Sequence, residues 1–154
     1  PEFQIYLISE FQRLKDEESK LINQEWNIQN ILTKINYRIQ TDAIKETLIP
    51  NELTKEQIKA IYASEADLIN VALFGMTHQQ WKKRYPLKRG SMRNYATLTE
   101  LIVLSNLESI NAMLIRQELT QQVRLQQLNK VAISQIRSLL KSRSLESINK
   151  LQNP

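Results

Sequence analysis

The chain has no cysteine, a single histidine, two glycines and four prolines in 154 residues. Without cysteine there can be no disulfide, no thiolate nucleophile and no Cys-ligated zinc, and a reducing, cytoplasmic setting fits. His78 stands alone, so no metal site can draw on converging imidazoles, and no metal or other cofactor is expected. Gly75 and Gly90 lie too far apart to write either a GxGxxG turn or a phosphate-cradling P-loop. Scarce glycine and proline also argue against an all-β protein, which needs turn residues every eight to twelve positions. No apolar run approaches the roughly 20 residues of a membrane span. The opening "PEFQIYLISEFQRLK" has helical periodicity and no basic region before an apolar core. It reads as the start of a helix in a fragment, not as a signal peptide.

What remains points to helices. A hydrophobic fraction of 42% and a charged fraction of 24% are ordinary for a folded domain. Capping boxes, in which a Ser or Thr and a residue three positions on satisfy each other's backbone N–H groups, occur at Thr54–Gln57, Thr77–Gln80 and Thr97–Glu100. A looser version is Ser64–Asp67. The reading is an all-α domain of about six helices. A long N-terminal helix, or two abutting ones, runs from about Glu2 to Thr47 and stops at "LIPNELT". Short helices follow at Thr54–Ile61, Ser64–Phe74 with Gly75 as cap, and Thr77–Tyr85 before Pro86. Residues 86–96 read as loop. Thr97 to about Gln117 and Thr120 to about Ser142 form a C-terminal antiparallel hairpin, the first largely buried.

Two features bear on function. The first is "MTHQQWKKRYPLKRGSMRN", which carries Lys82, Lys83, Arg84, Lys88, Arg89 and Arg93, with no Asp or Glu between Asp67 and Glu100. With a formal net charge of +5, such a run suits the phosphates of an acidic partner such as DNA. It also suits a solvated face, and cations at a helix C-terminus answer the macrodipole. The preceding segment, Ser64 to Arg84, has the outline of a helix-turn-helix centred on Gly75. Its second helix would turn Trp81 inward and present His78, Gln79, Lys82 and Lys83, with His78 and Gln79 the candidate base readers. The same outline is common in helical proteins that bind nothing of the kind. The second feature is a heptad-like stripe, Leu125, Leu128, Ala132, Ile136 and Leu139, which fits an intramolecular seam or a homodimer interface equally. Carboxylates form no catalytic constellation. Asp16, Glu17 and Glu18 pair with Lys15 and Lys20 as surface charges, and Glu100 belongs to a capping box. The residues thus suggest no enzyme, no catalytic group and no small-molecule substrate.

Pro1, Glu2, Phe3, Tyr6, Glu10, Phe11, Arg13, Leu14 and Lys15 match the form Pro-Glu-Phe, an aromatic, then Glu-Phe-x-Arg-Leu-Lys. In this the opening resembles the final helix of a KilA-N domain, a DNA-binding module of phages, prophages and large DNA viruses. The rest is similar to the helical extension that follows that module in bacterial proteins, in "LTKINYRIQTDAIKETLIP", "YASEADLINVALFGMTHQQWKKRYP" and "GSMRNYATLTELIVLSNLESINAMLIRQELTQQVRL". The resemblance implies a cytoplasmic protein of a prophage or similar element, associated with DNA. It divides the chain into 1–18, the final helix of that module, 19–142, its helical extension, and a tail, 143–154, and it places the module's own DNA-reading elements upstream of Pro1. The basic segment would then support DNA binding, or the extension would dimerise or bind a partner.

Overall fold

A computed structural model of the chain describes the backbone of residues 2–141, and the side chains of 8–20, 23–24 and 27–141. The expected tail at 143–154 lies outside the described residues, as do the side chains of Phe3, Tyr6, Leu7, Leu21 and Trp26. The fold is all-α. Five α-helices follow in order: α1, Glu2–Ala43; α2, Lys55–Phe74; α3, His78–Arg84; α4, Leu98–Arg116; and α5, Gln121–Leu140. A π-helical turn, Ile44–Leu48, ends α1, and a 3₁₀ turn, Met92–Tyr95, precedes α4.

Residues 2–43 are a single helix, with no break at residue 18. It stops where Pro50 forces Ile49 into extended backbone, at φ −106° and ψ 105°. The two short helices expected over 54–61 and 64–74 are one helix, α2. Ala60, Ile61, Tyr62 and Ala63 contain no breaker, so helix propagates through Ser64. The Ser64 hydroxyl accepts from Gln121 Nε2 at 2.8 Å instead of capping. The capping boxes at Thr54, Thr77 and Thr97 are formed reciprocally, and Gly75 closes α2 in the left-handed region at φ 76°.

Helix α4 is the axis of the fold and packs against α1, α2 and α5. Leu98, Leu101, Val103, Leu104, Leu107, Ala112, Leu114 and Ile115 are all buried. By length and composition alone α4 is apolar enough to cross a membrane, and 67% of its apolar window is buried inside the fold. The main core joins this helix to Leu68, Ile69 and Ala72 of α2 and to Leu128 and Ala132 of α5. A second cluster unites Ala43 and Ile44 with Ala112 and Ile115.

The α4–α5 hairpin turns through a Schellman motif. Leu119 N–H donates to Leu114 O at 3.3 Å and Glu118 N–H to Ile115 O at 2.9 Å. Glu118 holds the left-handed position at φ 61°, where a Cβ is strained and glycine is not. Glu118→Gly is therefore expected to raise the unfolding free energy by about 0.5–1 kcal/mol. A urea midpoint unchanged or lowered would show that the side chain has a role beyond the turn.

A polar web crosses this core. Arg124 is 2% exposed and Glu65 1%, and they form a bidentate pair with Nη1–Oε2 at 2.6 Å and Nη2–Oε1 at 2.8 Å. Arg124 also donates to Asn111 Oδ1 at 2.9 Å and through Nε to Leu119 O at 3.0 Å. Asn111 donates onward to Gln40 Oε1 at 3.2 Å and Glu65 Oε2 at 3.3 Å. The web thus ties α1, α2, α4 and α5 at one level. Burial alone would raise the Glu65 carboxyl, but the Arg124, Gln121 and Asn111 donors outweigh it and hold it below its ordinary value.

Candidate nucleic-acid interface

The basic segment is a built structure, not a slack loop. Its anchor is Trp81, 5% exposed, which α3 turns inward. Trp81 packs on Tyr95 and Tyr85, with ring centroids 5.7 and 6.1 Å apart, and on His78 at 6.1 Å. These rings pin the following loop to α3. Lys88 Nζ lies 4.4 Å from the Tyr85 centroid and 4.8 Å from that of Tyr95. Tyr95 donates its hydroxyl hydrogen to Arg89 O at 3.1 Å, and Lys82 Nζ donates to Lys88 O at 3.3 Å. Gly90 sits at φ 84°, where an added Cβ would meet Asn94 Oδ1 at 2.4 Å. That close approach lets Asn94 accept from Ser91 N–H at 2.8 Å and start the 3₁₀ turn.

The eight candidate contact residues fall into three groups. His78, Gln79, Lys83, Arg84, Lys88 and Arg89 are exposed. Lys82 is half-buried, its ammonium 5.4 Å from the Trp81 ring. Arg93 is turned away from the others. Its Nη2 lies 2.7 Å from Oε1 of Glu108, a residue with no exposed surface, and its guanidinium 5.7 Å from the Tyr37 ring. Arg93 is thereby a clasp between the 3₁₀ turn and α4. The contact to Glu108 is off the donor axis, so neither carboxylate oxygen has a hydrogen bond. Burial raises this carboxyl to about 7, with Arg93 pulling the other way. Among the described residues, the ion pairs leave Lys82, Lys83, Arg84, Lys88 and Arg89 without a carboxylate.

The helix-turn-helix outline is altered by the fusion of the two preceding segments. Helix α2 is 20 residues long and α3 only 7, so α3 offers about 10 Å of helix. The loop apex, Pro86 and Leu87, is exposed, Leu87 at 95%.

Of the two readings of the α5 stripe, an intramolecular seam and a homodimer interface, the packing matches the intramolecular seam. Leu128 and Ala132 are 0% and 2% exposed in the main core, and Leu125, Ile136 and Leu139 pack against it. Helix α2 covers this face, and an isologous contact cannot reuse it without opening the fold. The acidic cluster also pairs differently from expectation: Arg13, not Lys15 or Lys20, bridges Glu10 and Glu17. A cleft of about 460 Å³ between α2 and α5 has Glu65 and Arg124 in its wall. Their charges are satisfied by each other, and no group of three or more potential metal ligands occurs among the described residues.

Glu65, Asn111, Arg124 and Glu108 are the chemically active-looking residues that the sequence reading passed over or left unassigned. One signal was available. Glu65 precedes Leu68, Ile69 and Ala72 at helical spacing, and Arg124 precedes Leu128 and Ala132, so opposite charges stand in two apolar stripes. No protein-family model, curated protein or solved structure matches the chain.

Proposed function

We propose that the chain is a non-enzymatic, DNA-associated helical module that grips duplex phosphates through the α3–loop unit. The observation that carries this reading is the set of cations, Lys83, Arg84, Lys88 and Arg89, exposed on one short unit with no carboxylate partner. Uncompensated charge on a pinned frame suits a polyanion, because holding the cations in place lowers the ordering cost on binding. Lys82 supports the frame by bonding the loop carbonyl, and Arg93 fixes it to α4. His78 and Gln79, exposed on the first turn of α3, would be the side chains to meet base edges. The resemblance of the first residues to the end of a KilA-N domain supports the same reading and makes phosphate grip an adjunct to a separate reading module.

The test is fluorescence anisotropy of the chain on a short duplex across salt. Four phosphate contacts predict an affinity loss of about a hundredfold between roughly 50 and 200 mM salt. Changing Lys83, Arg84, Lys88 and Arg89 together to Ala should flatten that dependence while leaving helicity unchanged, since all four side chains are exposed. No binding at the lower salt, or an unchanged slope in the variant, would overturn the assignment.

A further inference from the structure

Helix α1 is inverted with respect to its own amphipathicity. The face it lays on α4 is polar: Gln29 donates to Leu101 O at 3.4 Å, Asn36 to Ser105 Oγ at 2.6 Å, and Gln40 accepts from Asn111. Its apolar stripe is left outside. Ile28, Leu32, Ile35 and Ile39 are 58%, 45%, 49% and 43% exposed. They recur at alternating spacings of four and three, the period of a coiled-coil seam. Counting the same frame backwards reaches Leu14 and Phe11, which are 53% and 62% exposed. At 100° per residue the stripe is centred about a quarter-turn from the α4 face. A helix laid on it would therefore clear α4. Six apolar side chains exposed in one frame, four of them consecutive in it from Ile28 to Ile39, mark a contact surface, unlike isolated exposed leucines.

We infer that this seam takes the α1 of a second copy, antiparallel, about a two-fold axis near residue 23. Charge selects the occupant and its direction. From residue 10 to 25 acids outnumber bases, with Glu10, Asp16, Glu17, Glu18 and Glu25 against Arg13, Lys15 and Lys20. From 27 to 45 bases outnumber acids, with Lys34, Arg38 and Lys45 against Asp42. An antiparallel pair sets each acidic half on a basic half, whereas a parallel pair would stack Glu17 and Glu18 on themselves. In the antiparallel register Phe11 meets Ile35 of the second copy, Leu14 meets Leu32, and Glu10 comes beside Arg38. Glu18 falls opposite Ile28 and Glu25 opposite Leu21, so two acidic positions per copy interrupt the middle of the seam, where polar residues cost stability and fix register. Pairing over residues 7–39 uses about 50 Å of helix. Such a dimer sets two α3–loop units on one two-fold particle, but its seam does not depend on their binding DNA.

Sedimentation equilibrium of the whole chain, without nucleic acid, tests this. The chain should show a concentration-dependent mass approaching twice 18.1 kDa. Leu32→Glu with Ile35→Glu should weaken association a hundredfold or more at unchanged helicity, because both side chains are already half-exposed. Direction is read by cross-linking, which the cysteine-free background allows. An equal mixture of Leu14→Cys and Leu32→Cys chains should oxidise mainly to the mixed disulfide. A monomeric mass at every concentration, or association that survives the double substitution, overturns the inference. A preponderance of disulfides between identical chains overturns the antiparallel register.

Discussion

Arg124→Ala is expected to lower the unfolding free energy by about 3–5 kcal/mol, the usual loss when one partner of a buried ion pair is removed. For a chain of this length that is a fall in Tm of roughly 10–15 °C. Glu65 would stay in a site where it is 1% exposed, with only the neutral donors of Asn111 and Gln121 to hold its charge. Asn111 would lose the donor to its carbonyl, and Leu119 O the Nε–H bond that secures the α4–α5 turn. Replacing both charges at once, as Glu65→Leu with Arg124→Met, removes the stranded carboxylate and should recover most of the loss. The two results together separate a pair that merely avoids an uncompensated charge from one that contributes net stability. Acid titration gives a second reading. The folded-state carboxyl of Glu65 lies below its unfolded value, so the folded protein holds fewer protons. Its contribution is complete above the unfolded value and is lost as pH falls through the folded one. That acid sensitivity should disappear in the double variant. A single substitution costing under about 1 kcal/mol would mean that water or a rearranged Gln121 replaces the guanidinium.

Helix identity was legible where local chemistry decides it. Thr54, Thr77 and Thr97 cap helices because a hydroxyl and a residue three positions on need nothing from the rest of the fold. Ser64 has the same local pattern and fails as a cap, because nothing before it interrupts the helix and Gln121, distant in sequence, takes its hydroxyl. Burial was legible for α4, whose apolar positions exceed a single face, and not for α1. There an apolar stripe and a polar one compete, and the outcome rests on Leu101 O, Ser105 and Asn111, which lie about seventy positions away. For the same reason the α5 stripe was recognisable as a seam while its partner was not. In the basic segment the cations were plain from composition. What composition could not show is that Arg93 differs from Lys88 and Arg89. Its opposing charge, Glu108, is on α4 and comes within reach only when the 3₁₀ turn forms.

That clasp carries the second large effect. Glu108→Gln is expected to stabilise the protein by about 2–3 kcal/mol at pH 8 and by little near pH 4.5. Burial raises the folded carboxyl to about 7 against 4.5 in the unfolded chain, despite the opposing pull of Arg93. The folded state therefore keeps a proton that the unfolded state has released. This contribution to stability is full below about 4.5 and falls as pH climbs through about 7. Above that, the fold carries a buried carboxylate whose oxygens have no hydrogen bond, and glutamine relieves it of the charge at nearly constant volume. Arg93→Ala should act in the opposite sense. Without the guanidinium 2.7 Å away the carboxyl is pushed higher still, so the variant loses stability at pH 8 and much less at pH 4.5. Chemical denaturation of the three proteins at both pH values distinguishes the cases. If Glu108→Gln were destabilising at pH 8, the ion pair would be a net support of the fold and desolvation the smaller effect. If the Arg93→Ala loss were equal at both pH values, Arg93 would be holding the 3₁₀ turn through Tyr37 and packing. The observed geometry, an ion pair off its hydrogen-bonding axis with one member fully buried, favours desolvation as the stronger of the two.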